Sequence, residues 1–241
     1  MAECDVFKLF ELIDLTSLNE TDHEETISVL CQKVTMANHH VAAVCIFPSF
    51  VTTARKALTD QAVRIATVVN FPEGTDTLDT VLASICEVIS HGANEVDVVF
   101  PYVTYLQGEK EKAYDFIRAC KKACGEHVLL KVILETGALQ DPLTIEEVSY
   151  NVCLSGADFL KTSTGKIATG ATPEAARAML TVIKKMPRPI GFKVSGGVRT
   201  VEQAMHYIQL AEDIMGPAFV TPEHFRIGAS QLVDTLRERV L

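Results

Sequence analysis

Two lysines close two apolar runs and lead straight into glycine-containing loops: Lys161 in DFLKTSTGK (158–166) and Lys193 in IGFKVSGG (190–197). Lysine is rarely buried without compensation, so an apolar approach to a lysine points to chemistry. A free lysine has a pKa of about 10.4, which leaves about one uncharged amine in 2,500 at pH 7. Burial or a neighbouring cation disfavours the ammonium, and a shift of about three units raises the amine fraction about a thousand-fold. Two lysines near the carboxyl ends of adjacent parallel strands, about 5 Å apart, supply that repulsion. One then serves as a Schiff-base nucleophile while the other stays charged. Asp97, within EVDVVF (95–100), is a third ionisable group, suited to hold a water or move a proton beside an iminium carbon. The competing reading of Asp14, Asp97, Lys131, Lys161 and Lys193 is a buried ion-pair network without catalysis. Burying five charges costs several kcal/mol each unless function demands it, which favours a site.

A second pattern concerns anions. Gly165-Lys166, Gly196-Gly197 and Gly228-Ala229-Ser230 follow the runs that hold Lys161, Lys193 and Phe225. Glycines there let backbone N–H groups approach an anion, and with Lys166 and Arg199 the three loops read as a phosphate site.

The elements that must position these residues are short β-branched runs alternating with amphipathic segments. Strands are expected at 12–16, 41–47, 64–70, 95–100, 128–135, 158–163, 189–195 and 225–229. Helical spacing runs from Glu24 to Ala37, Pro48 to Thr59, Leu78 to Ser90, Glu109 to Cys124, Pro173 to Met186 and Val201 to Ile214. Thr172-Pro173-Glu174 places a capping hydroxyl before a proline at the first helical position. Near-continuous apolar strands flanked by helices indicate a parallel sheet covered on both faces. The residues that end the strands, Asp14, Cys45, Asn70, Asp97, Lys131, Lys161, Lys193 and Gly228, recur every 25 to 35 residues, one βα unit each. Eight such units without a linker predict a closed (β/α)8 TIM barrel over residues 1–241, a single domain with a short N-terminal helical segment, whose strand ends converge on one face. The alternative is a doubly wound sheet, but no GxGxxG or GxxxxGK[ST] is present to support its nucleotide-binding versions.

Composition bounds the partners. The chain is 48% hydrophobic and 22% charged, ordinary for a globular enzyme. A net charge of −9 without basic patches argues against nucleic acid. No apolar run reaches the length of a membrane span, and the acidic start MAECDVFKLFELIDL does not read as a signal peptide. Seven cysteines without CxxC spacing fit free thiols in a reducing cytoplasm, and His39-His40 fit no ligand pattern, so no metal or other cofactor is expected.

These motifs are recognisable together. LIDLTSLN (12–19), AVCIFP (43–48), RIATVVNFPEG (64–74), EVDVVFP (95–101), LLKVILETG (129–137), FLKTSTGK (159–166), FKVSGGVRT (192–200) and RIGAS (226–230) run in order along almost the whole chain. The chain resembles the deoxyribose-phosphate aldolases, class I enzymes of the (β/α)8 type. The resemblance implies reversible cleavage of 2-deoxy-D-ribose 5-phosphate to acetaldehyde and D-glyceraldehyde 3-phosphate. It assigns the Schiff base to Lys161, the neighbouring cation to Lys193 and proton transfer to Asp97. Asp14, Thr16, Cys45, Lys131 and Thr164 are expected to line the pocket, with Gly165, Lys166, Gly196, Gly197, Arg199, Gly228 and Ser230 around the phosphate. A homodimer also follows from the resemblance alone. Three departures stand out: Val194 where relatives often carry proline or alanine, Gln231 where many carry a second serine, and an end at Arg239-Val240-Leu241 without the tyrosine-ended tail of some members. The rival readings are a Schiff-base aldolase for a different sugar phosphate and a non-catalytic phosphosugar-binding barrel. A descendant without activity is expected to have lost Lys161, Lys193 or Asp97, and all three are present.

Overall fold

The computed structural model describes residues 3–58 and 62–239. Eight parallel strands close on themselves: β1 Ile13–Thr16, β2 Ala43–Ile46, β3 Arg64–Val69, β4 Glu95–Val99, β5 Leu129–Ile133, β6 Phe159–Lys161, β7 Gly191–Ser195 and β8 Phe225–Ala229. Neighbours in the barrel are neighbours in sequence, and β8 pairs with β1 through Asp14 and Gly228.

Period-2 alternation sorts each strand between two layers. Val44, Val96, Val98, Leu130, Val132, Leu160, Phe192 and Ile227 join the large apolar layer beneath the surrounding helices. Ala43, Cys45, Ala66 and Val68, with Leu18, form a second, small apolar cluster. Asp14, Glu95, Asp97, Lys131, Lys161, Lys193 and Arg226 share the inward face with buried Val99, Ile133 and Phe159, while the larger apolar cluster lies between the barrel wall and the helices.

The helices start where side chains relieve unpaired N–H groups. Thr77, Asp141, Thr172 and Thr200 accept hydrogen bonds from the N–H groups of Thr80, Thr144, Ala175 and Gln203. The helices so capped span Leu78–Ser90, Pro142–Leu154, Pro173–Lys185 and Val201–Met215. The helix expected from Glu24 to Ala37 ends at Cys31. Thr35–Met36 instead pairs antiparallel with His39–His40 through Ala37 and Asn38, both at positive φ (46° and 70°), as a two-residue hairpin turn requires. The expected helix from Pro48 divides into a 3-10 turn, Pro48–Phe50, and a helix, Val51–Ala57; Thr59 lies outside the described residues. Among the described residues no helix is long and apolar enough to cross a membrane.

The expectation that the polar residues end their strands needs correcting. Asp14, Asp97, Lys131 and Lys193 are central in β1, β4, β5 and β7, and only Lys161 is the last residue of its strand. Asn70 does not join them. At φ 55° it turns the chain after β3, and its amide bonds Val99 O and Asp76 N at 2.9 and 2.8 Å, a loop fastener.

Candidate active site

Seven ionisable side chains from six strands meet inside the barrel, each 0–2% exposed: Asp14, Glu95, Asp97, Lys131, Lys161, Lys193 and Arg226. Asp97 is the hub. Its Oδ1 accepts from Lys131 Nζ at 2.8 Å, and its Oδ2 accepts from Lys161 Nζ at 2.9 Å and Lys193 Nζ at 2.8 Å. Register brings them together, since Asp97 pairs with Lys131 across β4 and β5, and Lys161 with Lys193 across β6 and β7. Lys193 also reaches Asp14 at 2.5 Å, and Lys131 reaches Glu95 at 2.5 Å. Arg226 closes the base, with Asp14 at 2.7 Å and Glu95 at 3.2 Å.

Burial alone would push Asp97 upward, but Lys131, Lys161 and Lys193 outweigh it and hold the carboxyl well below its ordinary range. Asp14 is lowered in the same way, against burial, by Lys193, Arg226 and Lys131. Burial would strip the proton from Lys193, yet Asp14 and Asp97 raise it well above a free lysine. Lys193 is therefore a fixed cation. Lys131 is raised likewise, against burial, by Asp97, Glu95 and Asp14. The Cys45 thiol, 3.9 Å from Asp97, is pushed up by burial and stays neutral.

Above this cluster opens a cavity of about 740 Å³, lined among others by Thr16, Lys161, Thr164, Gly165, Lys166, Gly196, Gly197, Arg199, Gly228 and Ser230. Lys161 is the single member of the charged cluster in that wall. Asp14, Cys45 and Lys131, expected to line the pocket, sit beneath it instead, because mid-strand side chains point into the barrel and not over its rim.

Glycine backbone forms part of the cavity wall. Gly165, Gly196 and Gly197 adopt φ of 77°, 83° and 101°, the left-handed region open to glycine. A Cβ on Gly170 would fall 2.2 Å from Gly196 O, so this glycine, absent from the sequence reading, lets two loops touch. Thr162 Oγ1 donates to Ser195 O at 2.9 Å and accepts from Ser195 N at 3.0 Å, stitching the loop after β6 to the end of β7. Among the described residues the N–H groups of Gly165, Gly197 and Val198 meet no backbone or side-chain acceptor. Lys166 Nζ donates to Leu18 O at 2.6 Å, which leaves two of its three N–H groups for a ligand.

The sequence of this barrel matches the profile of the DeoC/LacD family aldolases over residues 9–234. The chain belongs to the DeoC/LacD aldolase family. Its structure resembles a Coccidioides immitis protein provisionally named deoxyribose-phosphate aldolase, with TM-score 0.85 and 29% identity over 96% of this chain and 87% of that one. A Toxoplasma gondii protein of the same provisional name, in apo form, gives 0.88 at 25% identity, covering 98% and 95%. The deoxyribose phosphate aldolase of Aeropyrum pernix, described as tetrameric, gives 0.77 at 26% identity, covering 98% and 92%.

Two departures of this aldolase now have places. Val194 is fully buried in the outer apolar layer, on the opposite face of β7 from Lys193, so its bulk does not enter the site. Gln231 lines the cavity but makes no side-chain cap on the helix Leu232–Glu238. The expected tail difference falls partly on Val240 and Leu241, outside the described residues. His39 is structural: it stacks on Phe7 with ring centres 4.3 Å apart and meets Glu11 at 2.7 Å.

Three members of the aldolase's interior escaped sequence reasoning. Glu95 stands two residues before Asp97, and Arg226 two before Gly228, so strand alternation alone assigns both to the inner face. Glu135 follows β5 with φ 54°, an uncommon left-handed glutamate. It accepts from Thr164 Oγ1 at 2.5 Å and is raised by burial, against the Thr164 hydrogen bonds and the charge of Lys161. No composition signal marks it; the loop after β6 does, by folding onto it.

Proposed function

We propose that this aldolase cleaves 2-deoxy-D-ribose 5-phosphate reversibly to acetaldehyde and D-glyceraldehyde 3-phosphate through a Schiff base on Lys161. The observation that carries this reading is that Lys161 alone links the buried charged cluster to the cavity. The relatives named for deoxyribose-phosphate support the substrate, as do the unpaired N–H groups and Lys166 in the cavity wall.

In this reading the neutral amine of Lys161 attacks the aldehyde carbon, C1, and water leaves to give an iminium. The C3 hydroxyl gives up its proton, C3 becomes the aldehyde of glyceraldehyde 3-phosphate, and the electrons of the C2–C3 bond flow into the iminium. The bond broken is C2–C3, because acetaldehyde carries two of the five carbons. The enamine is then protonated at C2 and hydrolysed, freeing the lysine. The iminium is itself the electron sink, so the reaction needs no cofactor. Asp97 offsets the positive charge of both ammonium and iminium and takes part in the proton transfer, while Lys193 stays the neighbouring cation. Small-molecule substrates, a cytoplasmic setting and a homodimer complete the proposal.

The test is borohydride reduction in the presence of acetaldehyde, followed by peptide mass mapping. An ethyl group on Lys161 is the expected result. Labelling elsewhere, or none, removes the mechanism.

A further inference from the structure

The charged groups inside the barrel do not balance. Counted in their ordinary ionised forms, Lys131, Lys161, Lys193 and Arg226 bring four positive charges against three negative ones from Asp14, Glu95 and Asp97. Two further groups border the cluster. Arg64 reaches Glu95 at 3.6 Å from the solvent side, and Glu135 lies near Lys161 without an ion pair among the described residues. Adding both leaves the excess at one. The Cys45 thiol is neutral, and Lys166 at the rim bonds a carbonyl.

An uncompensated charge in a dry interior is costly, and the simplest relief is the loss of one proton. Arginine cannot supply it. Lys131 holds Asp97 and Glu95, and Lys193 holds Asp14 and Asp97. Lys161 holds a single carboxylate oxygen, which it shares with Lys193, and it alone faces the cavity through which a proton can leave.

We propose that Arg226, on the far side of the cluster from the cavity, is a positioning residue that makes Lys161 the surplus cation, with Glu95 as its counterweight. Arg226 does not line the cavity. It occupies Asp14 at 2.7 Å and Glu95 at 3.2 Å, and so withholds from the lysines the negative charge that would otherwise keep all three protonated. The same excess favours the neutral enamine over the iminium, which strengthens the electron sink. The inference rests on Lys161 being the Schiff-base lysine.

The experiment measures acetaldehyde-dependent borohydride trapping at Lys161 across pH 5–10. Removing the distant cation, in Arg226→Met, is expected to move the midpoint of trapping up by about one pH unit or more. Arg226→Lys keeps the charge and is expected to stay near the wild type, which separates charge from packing. Glu95→Gln enlarges the excess and is expected to move the midpoint down. An unmoved midpoint in Arg226→Met, or equal shifts in Arg226→Met and Arg226→Lys, overturns the proposal. Should Arg226→Met fail to fold, Glu95→Gln decides, and an unmoved or rising midpoint there has the same force. Absence of trapping at Lys161 in the wild type overturns the assigned mechanism itself, a result distinct from normal trapping with an insensitive midpoint.

Discussion

Lys161 and Lys193 stand opposite each other in the register of neighbouring strands, and both ammonium groups donate to the same oxygen of Asp97, at 2.9 and 2.8 Å. The sequence suggests two lysines that repel; the structure places a carboxylate between them. Lys193 gains a second carboxylate, Asp14, and becomes a fixed cation, while Lys161 keeps one shared oxygen and the cavity.

Replacing Lys161 by arginine keeps a cation beside Asp97 but leaves no group able to form an imine. Cleavage of 2-deoxy-D-ribose 5-phosphate is expected to fall by at least about a thousand-fold, with the far-ultraviolet circular dichroism unchanged. Retention of more than a small fraction of the wild-type rate in a coupled assay would exclude Lys161 as the nucleophile.

Lys193→Leu acts on both stability and rate. It leaves Asp14 and Asp97 short of a partner they hold at 2.5 and 2.8 Å, and breaking a buried pair from one side costs about 3–5 kcal/mol. The lysine's folded value lies above its unfolded one, so its contribution is full below about pH 10.4 and is lost as pH rises through the folded value. Asp14 and Asp97 are lowered, so theirs is present above about pH 3.9 and lost as pH falls through the folded values. The deficit of the variant in urea denaturation should therefore be level between about pH 5 and 9. Trapping of acetaldehyde at Lys161 should require higher pH than in the wild type. A variant as stable and as fast as the wild type at pH 7 contradicts the arrangement.

Glu135 gives a prediction of opposite sign. Burial raises its folded value above the unfolded one, so ionising it costs stability at pH above the folded value, and this cost vanishes as pH falls below about 4.3. Glu135→Gln keeps an acceptor for Thr164 and removes that cost. Relative to the wild type, the variant should gain stability as pH rises from about 4 to 8. A difference that is flat with pH would show that the carboxyl is not held out of its ordinary range.

Phosphate recognition is tested by substrate and by loop. A charge-assisted hydrogen bond contributes about 1.5–3 kcal/mol, so losing several should lower kcat/KM for unphosphorylated deoxyribose by at least about 100-fold. Gly196→Ala forces a side chain to φ 83° and to within 3.1 Å of Ser163 Cβ, at a cost of about 1–3 kcal/mol in strain. It should raise KM for the phosphorylated sugar far more than for deoxyribose. Gln231→Ser adds a hydroxyl to the cavity wall and should strengthen the phosphate preference. Equal kcat/KM for both sugars in the wild type would refute the site, and a preference untouched by Gln231→Ser would leave recognition to the backbone.

Much was legible in the chain because its signals are local. Apolar strand runs, the Thr172 cap and the recurrence of polar residues every 25 to 35 positions point to a barrel without tertiary information, since each depends on neighbours in sequence. The same holds for Lys161, Lys193 and Asp97, ionisable residues within apolar strands. Their depth was not legible. Register sets Lys161 beside Lys193, but β6 ends at Lys161 while β7 runs on to Ser195, and only the folded barrel shows that Lys161 lines the cavity while Lys193, Lys131 and Asp14 do not. Net charge in the interior is likewise a property of the closed barrel, because β8 must meet β1 before Arg226 can bind Asp14, 212 residues away in the chain. Glu135 depends wholly on tertiary structure, for its burial comes from a loop 29 residues downstream. Sequence determined which residue types are available at each strand position. Packing decided which charges share an oxygen and which lysine lines the cavity.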